Sequence, residues 1–118
     1  MGHFDIITKT LETLHFFDEY SSEYMEVAVS AMEKLKGKIP LFEGNTGAMS
    51  RGYRTIPYPT LPLIQEFRRL GFGAVITSDC HDKNYLDHGF DKAQKLLKEG
   101  GYKETYVLTR DGFVPLVL

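Results

Sequence analysis

Stretches with helical periodicity alternate with short unbroken apolar runs along this 118-residue chain, and that alternation restricts the fold more than any other feature. In SSEYMEVAVSAMEKLKGK, residues 21–38, apolar Tyr24, Ala28, Ala31, Met32 and Leu35 recur at three- and four-residue spacing. Glu23 sits in the first turn, Lys34 and Lys36 in the last, and Gly37 stands as a stop, which predicts an amphipathic helix. IPLFEGN (39–45) then reads as a short buried strand. TLPLIQEFRRLG (60–71) predicts a second helix with Thr60 as N-cap, Pro62 in the first turn, an inner stripe of Leu63, Ile64, Phe67 and Leu70, and Gly71 as its close. FGAVITSD (72–79) is a continuous apolar strand, and HGFDKAQKLLKEGG (88–101) a third helix facing inward with Phe90, Ala93, Leu96 and Leu97. YKETYVLT and FVPLVL are two last strands joined by a turn at Arg110-Asp111-Gly112. The first twenty residues carry no clear element.

Helix and strand in alternation predict an α/β fold with a mostly parallel sheet, its strands covered on both faces by outer helices. In such sheets chemistry gathers at the carboxyl ends of strands, where FEGN and TSDCHD both fall. One domain over residues 1–118 is the expectation from length. A net charge of −2, from 14 basic and 16 acidic residues mixed along the chain, provides no field for nucleic acid or an anionic membrane, so any anion site must be local. One cysteine cannot form an internal disulfide, and no apolar run approaches the roughly 18 residues of a membrane span. A soluble, cytoplasmic protein is expected.

Three polar groupings can carry chemistry. Asp79 and His81 are one residue apart behind the apolar run; on an extended strand end both point to one side, and carboxylate plus imidazole suits Zn, Fe or Mn. The plain alternative is an aspartate capping the next turn beside an exposed histidine. Cys80 faces the other way, as a packing residue. In GAMSRGYRTIPYP, Arg51 and Arg54 lie in a long irregular loop and are suited to hold a phosphate bidentately, against the alternative of a solvated loop. Glu43 and Asn45 end the preceding strand and project into the same region. His3 alone is a terminal residue, His15 reads as a partly buried histidine among apolar neighbours, and His88 belongs to the start of the third helix.

Taken together, GHFDIITK, FEGNTGAMSRGYRTIPYP and ITSDCHDKNYLDHGFDKAQKLLKEGGYKE, in this order, resemble the second half of the polymerase and histidinol phosphatase (PHP) superfamily, in its histidinol-phosphatase branch. The resemblance runs through nearly all of the chain. It implies the C-terminal part of a distorted (βα)7 barrel that holds up to three divalent metals at the strand ends. It further implies His3, Asp79 and His81 as metal ligands and Arg51 or Arg54 as the phosphate contact. Glu43 and Asn45 match a strand-end E-x-N whose expected partners are the ligands or the substrate, and His88 lies near the site mouth. The implied reaction is hydrolysis of L-histidinol phosphate to L-histidinol and phosphate, a step of histidine biosynthesis.

The family's amino-terminal H-x-H, its following histidines and its bridging glutamate have no counterpart, which points to a truncated gene, a miscalled start or a deliberate fragment. Fewer metals are then expected, together with self-association through an open barrel face. The alternatives are a non-catalytic remnant acting as a binding or interaction module, and another phosphoesterase of the superfamily.

Overall fold

The computed structural model describes residues 1–118 and builds an open four-stranded sheet in the order β1-β2-β3-β4. Strands β1 (Leu41–Asn45), β2 (Gly73–Thr77) and β3 (Glu104–Thr109) run parallel, and β4 (Gly112–Val117) returns antiparallel to β3. The helices are α1 (Leu11–Leu14), α2 (Ser22–Leu35), α3 (Gly47–Ser50), α4 (Leu61–Leu70) and α5 (Phe90–Glu99), with 3-10 turns at Ile6–Thr8 and Lys83–Tyr85.

Local chemistry explains the helix ends. Ser21, in extended conformation, accepts the Tyr24 N–H at 3.3 Å and starts α2. Thr60 holds the N-cap position of α4, but its hydroxyl is buried without a partner, so Pro62 in the first turn does more to fix this start. Gly71, at φ 89°, closes α4 with hydrogen bonds back to Arg68 and Phe67. Helix α5 begins at Phe90 rather than His88. Gly89 has φ 76° and packs so tightly on Met49 that a Cβ there would lie 2.9 Å from Met49 Cε.

Alternate residues divide the sheet into two unlike faces. Phe42 and Ala74, both fully buried, meet Met32 of α2, Leu63, Ile64 and Phe67 of α4 and Leu97 of α5 in the main core. The Phe42 and Phe67 rings stack at 4.3 Å with 2° between their planes. The opposite face carries Leu41, Val75 and Tyr106, none of which joins that core. Coverage of both faces, expected from the apolar strands, is therefore met on one face. The β3–β4 hairpin leaves Leu108, Phe113 and Val117 exposed, and Pro115 is accommodated because β4 is an edge strand.

On the other edge, the Met1 amino group donates to the Leu41 carbonyl at 2.8 Å, and the Met1 carbonyl accepts the Glu43 N–H at 3.0 Å. That is the exchange of a parallel pairing, and it delivers His3 to the carboxyl end of β1. No helix is long and apolar enough to cross a membrane.

Candidate strand-end site

Glu43 on β1 and Thr77 on β2 lie on the face without helices; Thr77 is in register with Asn45 where both strands end, and Glu43 lies two residues before Asn45. The Thr77 hydroxyl donates to Glu43 Oε1, and the other carboxylate oxygen, Oε2, accepts the His3 N–H at 2.7 Å. Glu43 thereby fixes the turn that presents His3. Its Oε2 also lies 3.6 Å from His3 Nδ1, so the ring stands between two carboxylates with Nε2 turned toward Asp79.

Residues 76 apart meet here: His3 Nε2 is 3.3 Å from Asp79 Oδ2. The same oxygen accepts from Arg51 Nη2 at 3.0 Å, and Arg51 Nη1 donates to the Asp79 carbonyl at 3.0 Å. Burial alone would raise the Asp79 carboxyl, but Arg51 and His3 together outweigh it and hold the group below its ordinary range. Asp79 has φ 44°, a left-handed conformation that Asp tolerates better than most residues. This turn aims both its carboxylate and its carbonyl at one guanidinium. The fit depends on Gly47, where a Cβ would stand 2.8 Å from Asp79 Cβ, 2.8 Å from the Ser78 carbonyl and 3.0 Å from Arg51 Nη2.

Strand β2 ends at Thr77, so D-x-H is a turn rather than an extended strand end. This alters the expected geometry of His81: its Nδ1 lies 2.8 Å from the Asp79 carbonyl and 3.0 Å from Arg51 Nη1. Cys80 is half-buried, with its thiol donating to the Asp82 carbonyl, a turn contact rather than core packing. His88 sets its ring edge-on to Tyr85 at 5.4 Å and takes no part in the cluster. His15 is exposed, where partial burial was expected, because it ends α1 in a left-handed conformation. Asn45 is fully buried and its Oδ1 accepts the Gly47 N–H at 2.8 Å, so it shapes the loop behind the site.

Arg54 is directed elsewhere. Its side chain is fully buried, forks onto both carboxylate oxygens of Glu19 at 2.9 and 3.0 Å, and donates to the Thr8 carbonyl at 2.7 Å. Every one of these partners is an internal anchor for the loop, so of the two arginines only Arg51 faces the strand-end cluster.

Two buried groups escaped the sequence reading. Asp5, beside the Arg54–Glu19 pair, has both carboxylate oxygens without a hydrogen-bond partner; burial first and Glu19 second push it up to about 7, against the pull of Arg54. The Tyr58 hydroxyl is likewise buried and unpartnered, pushed up to about 12 by burial and then by the negative charges of Glu43 and Asp79. Tyr58 exchanges backbone hydrogen bonds with Asn45 and so ties the returning loop to the end of β1. Asp5 was present in GHFD, two residues beyond the histidine. Nothing local in the sequence marks Tyr58.

The resemblance implies divalent metal, and the donor spacing tests it. Two donors each about 2.0–2.2 Å from one tetrahedral ion lie about 3.3–3.6 Å from each other. His3 Nε2 and Asp79 Oδ2 meet that spacing at 3.3 Å, whereas no group of three or more His, Cys, Asp or Glu side chains converges. One pair of donors has metal-ligand spacing, and no third ligand joins it. A scan against protein-family models and a search among curated proteins found no match to this chain.

Proposed function

We propose that this chain is the C-terminal part of a PHP-type histidinol-phosphatase barrel and contributes half of a metal-dependent phosphomonoesterase site. The observation that carries the reading is the convergence of His3, Asp79 and Arg51 at the carboxyl ends of neighbouring parallel strands, with both His3 Nε2 and Arg51 Nη2 on Asp79 Oδ2. Strand-end convergence on one face of a parallel sheet is how barrel enzymes assemble their sites. The helix-free face carrying Glu43, Val75, Thr77 and Tyr106 would be the barrel interior, closed by strands outside this chain or by a second copy.

In this reading His3 and Asp79 hold a divalent ion, Zn, Fe or Mn, which when bound would supply a hydroxide from water at neutral pH and screen phosphate charge. Glu43 lies behind the His3 ring, 3.6 Å from Nδ1, a place typical of carboxylates that orient metal ligands. Arg51 is the group available to a phosphoryl oxygen, where a fixed guanidinium offsets charge developing in transfer. The substrate is L-histidinol phosphate, released as L-histidinol and phosphate in the cytoplasm.

The test combines metal analysis with phosphate release from histidinol phosphate, with and without a separately supplied amino-terminal PHP half carrying the H-x-H segment. Turnover is expected only with both halves and metal. Absence of bound metal and of turnover in the combined protein would reject the reading in favour of a non-catalytic remnant. Sedimentation checks the open face: a self-associated species is expected, and a monodisperse monomer that binds no apolar dye counts against a barrel interior.

A further inference from the structure

Residues 80–88 join the end of β2 to α5, and they are held together almost wholly by their own contacts. Asp82 is the hub: its carbonyl accepts the Cys80 thiol at 2.6 Å and the Tyr85 N–H at 3.0 Å, and its carboxylate accepts the Asn84 N–H at 2.9 Å. The His88 N–H bonds the Tyr85 carbonyl at 3.2 Å, and the two rings meet edge-on. The one main-chain hydrogen bond to another element is at the exit, from the Phe90 N–H of α5 to the Asp87 carbonyl. At the root, His81 Nδ1 lies 2.8 Å from the Asp79 carbonyl, which can only accept, so that nitrogen donates. Its 3.0 Å approach to Arg51 Nη1 then sets two donors side by side and fastens nothing.

This self-bonded unit lies between two left-handed residues, Asp79 at φ 44° and Gly89 at φ 76°. A Cβ at position 89 would press on Met49 Cε at 2.9 Å, which confines that pivot to glycine. Residues 81–87 are all exposed, Leu86 by 66% and Tyr85 by 39%, so an apolar tip stands in water just beyond the strand end that carries Asp79. Resting on the phosphatase reading above, we propose that residues 80–88 are a lid that turns as one body on Asp79 and Gly89 and lays Tyr85 and Leu86 over the strand-end cluster. Hinges of this kind absorb the change in φ and ψ while the body between them keeps its own hydrogen bonds. Closure covers the organic part of a phosphate monoester with the apolar tip and keeps bulk water from the site during phosphoryl transfer.

NMR relaxation dispersion of the backbone amides of the full chain tests the motion without any ligand. Residues 82–88 should share one exchange process on the microsecond-to-millisecond scale that is absent from β2, and flat profiles for the segment overturn the lid. Asp82→Ala removes the hub carboxylate at an exposed position and should split the common rate into unlike ones. An unchanged common rate in that variant overturns the self-bonded body. In the chain combined with the amino-terminal half, histidinol phosphate should slow hydrogen exchange of residues 82–88 about tenfold, and Leu86→Ser should lower kcat/KM about tenfold with an unchanged melting temperature, through loss of one apolar contact made on closure. Turnover without any change in exchange overturns the lid alone, whereas absence of turnover rejects the phosphatase reading and the closure with it.

Discussion

Arg51 and Arg54 stand three residues apart in one loop, yet their surroundings give them opposite work. Arg54 has a fully buried side chain, clamped bidentately on Glu19 and roofed by the Thr8 carbonyl, whereas the Arg51 side chain keeps 26% of its surface and shares Asp79 with His3. A guanidinium sealed among protein acceptors is part of the scaffold, because any loss of partner leaves charge buried in low dielectric. One at the mouth can exchange partners at modest cost. Membership of one loop therefore did not mean equal surroundings. The N-terminal segment made the difference, since Thr8, Glu12 and Glu19 all come from it and wrap the second arginine.

The strongest way to break this contrast is to remove Arg54. Arg54→Ala should cost about 3–5 kcal/mol of unfolding free energy, the usual penalty for orphaning a buried charge. Glu19 would lose its bidentate partner and Asp5 the nearby positive charge that opposes its raised value. Urea denaturation of the purified chain measures it, and a loss below about 1 kcal/mol, as for surface pairs, would show that the anchor is not the scaffold element described.

Asp5 sharpens the same side through pH. Its folded value is about 7 against 3.8 in the unfolded chain, so between these values the folded state holds a proton that the unfolded state releases. Stability should accordingly fall as pH rises from about 4 to about 7 and then level off. Asp5→Asn removes that slope and should be more stable than the parent at pH 8 by on the order of 2–3 kcal/mol. Parallel slopes for the two proteins in pH-stepped denaturation would contradict the assignment.

Gly47 probes the other arginine's seat. Gly47→Ala pushes a methyl onto Asp79 Cβ and the Ser78 carbonyl, both 2.8 Å away, so about 1–3 kcal/mol should be lost through overpacking. A thermal melt reports the loss, and an unchanged melting temperature would mean the turn after β2 yields freely.

The main elements were legible because their chemistry is local: Ser21, Gly71 and the apolar stripes of α2, α4 and α5 lie inside the segments they define. The parallel order of the first three strands follows from the intervening helices. One-sided coverage was not legible, since an apolar run such as Gly73–Thr77 reads alike whether a helix or an open face lies beyond it. At the site, His3, Asp79, Glu43 and Arg51 were all named from sequence and do meet. Spacing could not reveal where His81 sits or which of the two arginines faces the cluster, because each depends on a conformation or a distant partner. In the first case it is the left-handed turn at Asp79, and in the second a pairing with Glu19 across 35 residues.

The smallest effect gives the finest distinction between the two arginines. Arg51→Gln should cost only about 0–1 kcal/mol at neutral pH, because the Asp79 carboxylate is 21% exposed and retains His3 and water as partners. Its trace lies in acid. Asp79 is held below its ordinary 3.8, so its contribution is present above that value and lost as pH falls through the lower folded one. Removing Arg51 takes away the leading group that lowers Asp79, and the difference between parent and variant should shrink toward zero as pH falls below about 4. Denaturation at pH 7 and at pH 3 measures both ends. A gap that persists undiminished at pH 3 would mean that Arg51 stabilises the fold through packing, as Arg54 does, and the division between site and scaffold would fail.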